Sequence, residues 1–235
     1  MPLLISKLNK SYHSHRVLKG ISLKVEAGEV FCLVGVNGAG KTTLLKCILD
    51  FHKAEKGEIT IFGTSSEQTL SRQNFGYLPE RFLPPYYLNG QQFLNYIFDL
   101  HKSKVDQKEV LLMLKDLDLS DEILKKSVRK FSKGMAQKLG LAALILLDKK
   151  LLILDEPMSG LDPKARALVK KQLKLAKEKG KTIFFSSHLL ADVEELSDRI
   201  GILHEGSIEF CGSPAECKQQ YNADTLEQAF LNCIE

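Results

Sequence analysis

The sequence predicts an α/β fold: a parallel sheet flanked by helices, with an antiparallel β-subdomain at the N-terminus and an α-helical subdomain inserted mid-chain. Three observations predict it. Residues 35–43 read GVNGAGKTT, a match to G-x-x-x-x-G-K-[ST], and sit between the apolar run Val30 to Val34 and the helix-like KTTLLKCIL. Short apolar runs alternate with amphipathic stretches along most of the chain, the texture of an α/β sheet protein. From about Gln91 to Lys130 that alternation stops, and charge-rich, helix-patterned sequence takes over. The first observation indicates a P-loop NTPase core, the second its parallel sheet, the third the insertion. We therefore expect one domain over 1–235. Residues 1–84 and 150–212 form the nucleotide-binding core with its β-subdomain, 85–149 the helical subdomain, and 213–235 short C-terminal helices.

Each element follows from its local pattern. Residues 3–8 and 21–25 place apolar side chains with period two, as half-buried strands do, whereas 30–34 is almost unbroken and reads as a central strand. In the loop that follows, Gly35, Gly38 and Gly40 let the backbone curl so that N–H groups point inward, and the next helix adds its positive end to the same anion pocket. Val36, Asn37, Ala39 and Thr43 complete that cradle. Lys41 is placed to reach the β- and γ-phosphates, and the Thr42 hydroxyl is a natural Mg2+ ligand. GEITIFG (57–63) and FGYLP (75–79) are further strands, and QQFLNYIFDLH and KEVLLMLKDLDL are helices, with Asp121 placed to start another turn.

The core resumes at residues 151–154, four apolar residues followed by Asp155 and Glu156. A buried strand ending in acid places carboxylates at the carboxyl edge of a parallel sheet, where such folds bind ligands. Asp155 is the candidate Mg2+ partner, through a bound water, and Glu156 the candidate to orient and polarise an attacking water. Asp-Glu also closes ordinary strands; its pairing with the phosphate loop makes it a site candidate. Asp162 as N-cap, Pro163 at the first helical position and Gly180 as stop bracket a long amphipathic helix. Its lysines, Lys170, Lys171, Lys174 and Lys177 among them, read as a solvated face rather than a nucleic-acid surface. TIFFSSH (182–188) is a buried strand whose polar end, Ser186, Ser187 and His188, again aims at the ligand edge. A lone histidine is usually structural; His188 gains weight from this position. GILHEGSIEFCG is a hairpin, followed by short helices near 213–220 and 225–234.

Composition narrows the class. A hydrophobic content of 44% over 235 residues supplies a core, and 33 basic against 29 acidic residues leave a net charge of +4, which does not announce nucleic acid or anionic lipid. No nucleic-acid partner is expected. The sequence shows neither an apolar run of membrane-spanning length nor a signal-like N-terminus, so a cytoplasmic chain is expected. Five cysteines without C-x-x-C spacing read as reduced thiols, and HSH at 13–15 as a solvated loop.

One further segment gives these motifs a family. Between the helical insert and the Asp-Glu strand lies FSKGMAQK (131–138), which resembles the LSGGQ signature: Ser132 and Gly134 match, while Lys133 replaces a glycine and Met135 the glutamine. With the phosphate loop, SGLD (159–162) and the SSH strand in the same order, nearly the whole chain resembles the nucleotide-binding subunits of ATP-binding cassette (ABC) transporters. The resemblance implies that Ser132 caps a helix whose N-terminus, with Gly134, faces the γ-phosphate of ATP held by another protomer. It implies that the SGLD loop, including Asp162, crosses the dimer interface and that His188 is the switch histidine contacting the γ-phosphate. Tyr12 matches the aromatic that stacks on adenine, with Val17 nearby, although Tyr12 also fits a packed turn. Glu80, in YLPE, stands where most members carry glutamine; its carboxylate can hold Mg2+ or water beside Lys41, Glu156 and His188.

YLPE with FSKGM looks like the export-type branch serving drugs, lipids, polysaccharides or ions. The implied machine is a head-to-tail dimer, with a second copy or a related subunit, that closes on ATP and opens on hydrolysis. A separate permease, at the cytoplasmic face of the membrane, completes it. The aromatic-rich segment 81–98 either receives a permease helix or packs the subdomain. A soluble single-cassette ABC ATPase acting in cytosolic assembly shares the same motifs and is the alternative; a P-loop kinase or GTPase lacks the FSKGM, SGLD and SSH set.

Overall fold

A computed structural model describes residues 1–235. The chain opens with a hairpin of β1 (Leu3–Tyr12) and β2 (His15–Val25), then β3 (Val30–Val34), α1 (Lys41–Ile48), β4 (Lys56–Ile61), β5 (Thr64–Ser65) and β6 (Phe75–Leu78). The helical insert carries α2 (Gly90–Leu100), α3 (Gln107–Asp116) and α4 (Lys133–Leu146). The core returns with β7 (Leu151–Asp155), α5 (Pro163–Glu178), β8 (Thr182–Ser187), α6 (Leu190–Leu196), β9 (Arg199–His204) and β10 (Ser207–Gly212), and the chain closes with α7 (Pro214–Gln220) and α8 (Leu226–Ile234).

Two sheets result. The first, β2-β1-β4-β5, is antiparallel throughout. The second runs β10-β9-β3-β8-β7-β6 and is parallel except for β10 at its edge. Why β3 is apolar at every position is visible in the packing. Val30, Cys32 and Val34 face the core shared with the helices, while Phe31 and Leu33 face the core beneath the antiparallel sheet and α1. β7 and β8 divide in the same way: Leu152, Leu154 and Phe185 enter one core, Ile153 and Phe184 the other, with Phe184 stacked on Phe31 at 5.8 Å. A strand covered on both faces has no polar position, which is what a continuous apolar run encodes.

Most expected elements are present, with informative differences. Helix α4 begins at Lys133, directly after its cap Ser132, whose Oγ accepts the Met135 N–H at 3.2 Å. Asp121 opens a turn as expected, a short 3-10 one, and the cap is the preceding Ser120. The helix α6 has no capping side chain, so nothing in the sequence marks its start. No helix is long and apolar enough to cross a membrane, and all five cysteines are free thiols.

Candidate functional site

The parallel strands β3, β7 and β8 end at one edge, and the candidate residues cluster there. After Val34 the chain curls through the glycine loop into α1, whose N-cap, Gly40, is left-handed at φ 109° and has no side chain to cap the helix. The first N–H groups of α1 are therefore free for an anion. A cavity of about 430 Å³ opens over them, lined by Val36, Asn37, Gly38, Gly40, Lys41, Thr42 and Thr43 on one side and by Glu80, Glu156, Ser159 and His188 on the other, with Val17 at the rim. Gly35 and Ala39 lie beneath this lining: Ala39 is buried, and Leu203 O stands 2.5 Å from where a Cβ on Gly35 would be.

Charge is concentrated here. Lys41 Nζ donates to Gly35 O at 2.6 Å and stands 3.7 Å from Glu156 Oε1, both side chains being almost fully buried. The other Glu156 oxygen lies 2.9 Å from His188 Nδ1. Glu156 adopts φ 46°, a conformation that costs a non-glycine residue about 1–2 kcal/mol. A hydroxyl from the neighbouring strand secures it: Ser186 Oγ accepts the Glu156 N–H at 3.0 Å and donates its own proton to Asp155 Oδ1 at 2.6 Å. Burial raises the Asp155 pKa above the ordinary carboxylate range; the Ser186 bond opposes this, while Glu156 and Glu80 add to it and Lys41 subtracts.

Three carboxylates, Glu80, Asp155 and Glu156, thus share one nearby ammonium. Such a site favours a cation. Thr42, whose side chain is exposed to the cavity, and Asp155 are hard oxygen donors suited to Mg2+, with Glu80 beside them. No group of three or more His, Cys, Asp or Glu side chains is arranged to hold a metal, so water or ligand oxygens would complete the shell.

Asp155, like Gly35 and Ala39, does not itself line the cavity, and four further expected site residues lie away from it. Tyr12 packs edge-on against His52, ring centroids 5.7 Å apart, with Lys10 Nζ 5.3 Å from its ring centre. Ser132 caps α4, and Asp162 caps α5 by accepting the Ala165 N–H at 2.9 Å. Gly134 sits against Leu161, and the Lys133 side chain lies over Gly160, so the signature segment packs on the SGLD loop, whose first residue, Ser159, lines the cavity. Sequence reasoning missed the part Ser186 plays. A serine at the end of an apolar strand signals the ligand edge, but not that its hydroxyl ties two strands together.

Residues 18–159 match the model of the ABC transporter family. The chain is 44% identical, over 85% of its length, to an uncharacterized ABC transporter ATP-binding protein of Synechocystis sp., and spans 57% of that protein's length. It is 34% identical to the lantibiotic transport ATP-binding protein SrtF of Streptococcus pyogenes, covering 99% of this chain and 97% of SrtF. Among solved structures it is similar to an ATP-binding subunit of an ABC transporter, with a TM-score of 0.90, 29% identity and 99% of both chains covered.

Proposed function

This chain belongs to the ABC transporter family, and from that premise we propose that it is an ATP-binding ATPase subunit that drives export of a substrate through a separate membrane permease. In this reading it does so by ATP-dependent, head-to-tail pairing with a second copy or a related subunit. What supports the pairing is a separation within the chain. The phosphate loop, Glu156, Ser159 and His188 line one cavity, while the Ser132-capped start of α4 lies outside it. A second protomer that brings its signature surface over this cavity would add a further set of helix N-terminal N–H groups to the γ-phosphate.

Within the site each residue has a task. The loop N–H groups and Lys41 bind the phosphates, Lys41 exchanging carbonyl partners for phosphate oxygens. Glu156 orients the attacking water and accepts its proton, and His188, bonded to the far Glu156 oxygen, holds that carboxylate in place. Mg2+, held by Thr42 and Asp155 with Glu80 alongside, would neutralise charge on the β- and γ-phosphate oxygens. Loss of the γ-phosphate removes what joins the two halves, and the equilibrium shifts to the open pair.

Support for export comes from YLPE with FSKGM and from SrtF, a lantibiotic transport protein of matching length. A mostly apolar cleft of about 490 Å³ between core and insert, lined by Phe51, Tyr77, Phe82, Phe93 and Ile97, suits a cytoplasmic helix of a permease. In segment 81–98, Phe93, Leu94 and Phe98 pack the subdomain, whereas Leu83, Tyr86, Tyr87 and Tyr96 are exposed and open to a permease helix. The site of action is then the cytoplasmic face of the membrane.

The test is capture of tagged Glu156→Gln protein from gently solubilised cells with ATP present. Turnover is expected to fall by about 10²-fold or more, an ATP-bound dimer to accumulate, and a polytopic membrane protein to come with it. Hydrolysis at the parent rate would remove Glu156 from its role; only soluble partners, or a self-dimer alone, would favour a cytosolic assembly ATPase.

A further inference from the structure

The turn between β9 and β10 meets the nucleotide cavity from behind. Its residues Glu205 and Gly206 both have positive φ, 42° and 84°, as a tight hairpin requires. The Gly206 carbonyl accepts the Lys19 N–H at 2.8 Å, which ties the turn to the outer edge of β2, a strand whose other edge pairs with β1. A Cβ at Gly206 would fall on the Val17 carbonyl oxygen and 3.0 Å from its carbonyl carbon. A Cβ at Gly40 would lie 3.2 Å from the same oxygen and 3.4 Å from Val17 Cγ1. Val17 thus lies against two glycines, one in the turn and one in the phosphate loop, and it lines the cavity.

We infer that the β9–β10 turn is a positioning element for the nucleotide, in which Gly206 sets how far Val17 stands into the cavity and so seats the part of the nucleotide beyond its phosphates. The inference rests on reading the cavity as an ATP site. The contact is backbone against backbone, so an added methyl cannot be relieved by rotating a side chain; in a close-packed interior the strand must move. Val17 moves away from the turn, towards Gly40 and the cavity rim. The N–H groups of residues 36–43 belong to the loop and helix that follow β3, not to β2 or the turn, and keep their grip on phosphate. Base and ribose contacts change while phosphate contacts do not.

Gly63 supplies a matched control, because at φ 80° it carries the same conformational strain on substitution, but a Cβ there would meet nothing within 4 Å. Binding of ATP and of inorganic tripolyphosphate would be measured by calorimetry for the parent, Gly206→Ala and Gly63→Ala. Gly206→Ala is expected to weaken ATP binding about tenfold and to leave tripolyphosphate within about twofold, with Gly63→Ala changing neither. Unchanged ATP affinity in Gly206→Ala, or equal losses for both ligands, overturns the inference. If Gly206→Ala does not fold, Lys19→Pro deletes the N–H that ties the turn, at a strand edge that tolerates proline, and the same selective loss is expected. A parent chain that binds neither ligand overturns the ATP reading itself, and this inference with it.

Discussion

Replacing Ser186 by alanine removes one oxygen atom and two bonds at the centre of the site. Ser186 is completely buried, and its hydroxyl both accepts the Glu156 N–H at 3.0 Å and donates to Asp155 at 2.6 Å. The alanine variant leaves a buried N–H without a partner, at about 1–3 kcal/mol, and loses a bond to a charged group of similar worth. The two losses overlap, since both act on one strand end, so we expect about 3 kcal/mol in total. For a chain of this length that is roughly 6–12 °C in melting temperature. The functional consequence is separate from the loss of stability. Glu156 holds a left-handed backbone conformation, and the Ser186 bond is the one that secures its N–H. Freed from it, Glu156 relaxes and its carboxylate leaves His188 and Lys41. Turnover at saturating ATP should fall at least about tenfold, whereas ATP affinity, carried by the phosphate loop, should change less than about threefold. Urea unfolding and steady-state hydrolysis measure the two effects. A destabilised variant that hydrolyses ATP at the parent rate would refute the link from Ser186 to Glu156; one with parental stability would refute the hydrogen-bond geometry.

Two other perturbations follow from the same geometry. Because Asp155 holds its proton more tightly when folded, ionising it costs stability as pH rises from the ordinary carboxylate range through its raised pKa, and that cost persists at neutral pH. Asp155→Asn should therefore melt above the parent at pH 7 while losing Mg2+-dependent hydrolysis, the gap in melting temperature closing as the pH falls; a variant that melts below the parent at pH 7 contradicts burial as the main influence. Asp192, 8% exposed, binds Lys170 at 2.9 Å and Arg166 at 3.4 Å, pinning α6 to α5 just after His188. Asp192→Ala should cost about 2 kcal/mol in urea unfolding, less than a fully buried pair because Arg166 is partly exposed; a loss under about 0.5 kcal/mol would show that packing alone holds the two helices.

The phosphate loop, the Asp-Glu strand end and the caps at Ser132 and Asp162 are legible because each is written in contiguous residues. Glycine spacing shapes a backbone, a polar residue before an apolar helix binds that helix's own N–H groups, and an apolar run of five tells of a strand covered on both faces. Helix α6 is not legible, because packing and ion pairs, rather than a cap, define it. Tyr12 has the place in sequence of a site residue, but the structure sets its ring against His52 and outside the cavity lining.

Taken alone, the sequence determined the layering of the fold, the anion-binding turn and the residue types gathered at the sheet edge, since these depend on local backbone preference and on period. Only tertiary structure decided which of those residues meet. Ser186 reaches Glu156 across 30 positions of chain, and Val17 meets both Gly40 of the phosphate loop and Gly206 of the β9–β10 turn. Such contacts have no local signature: they arise where separate elements pack, and packing answers to the shape of the whole.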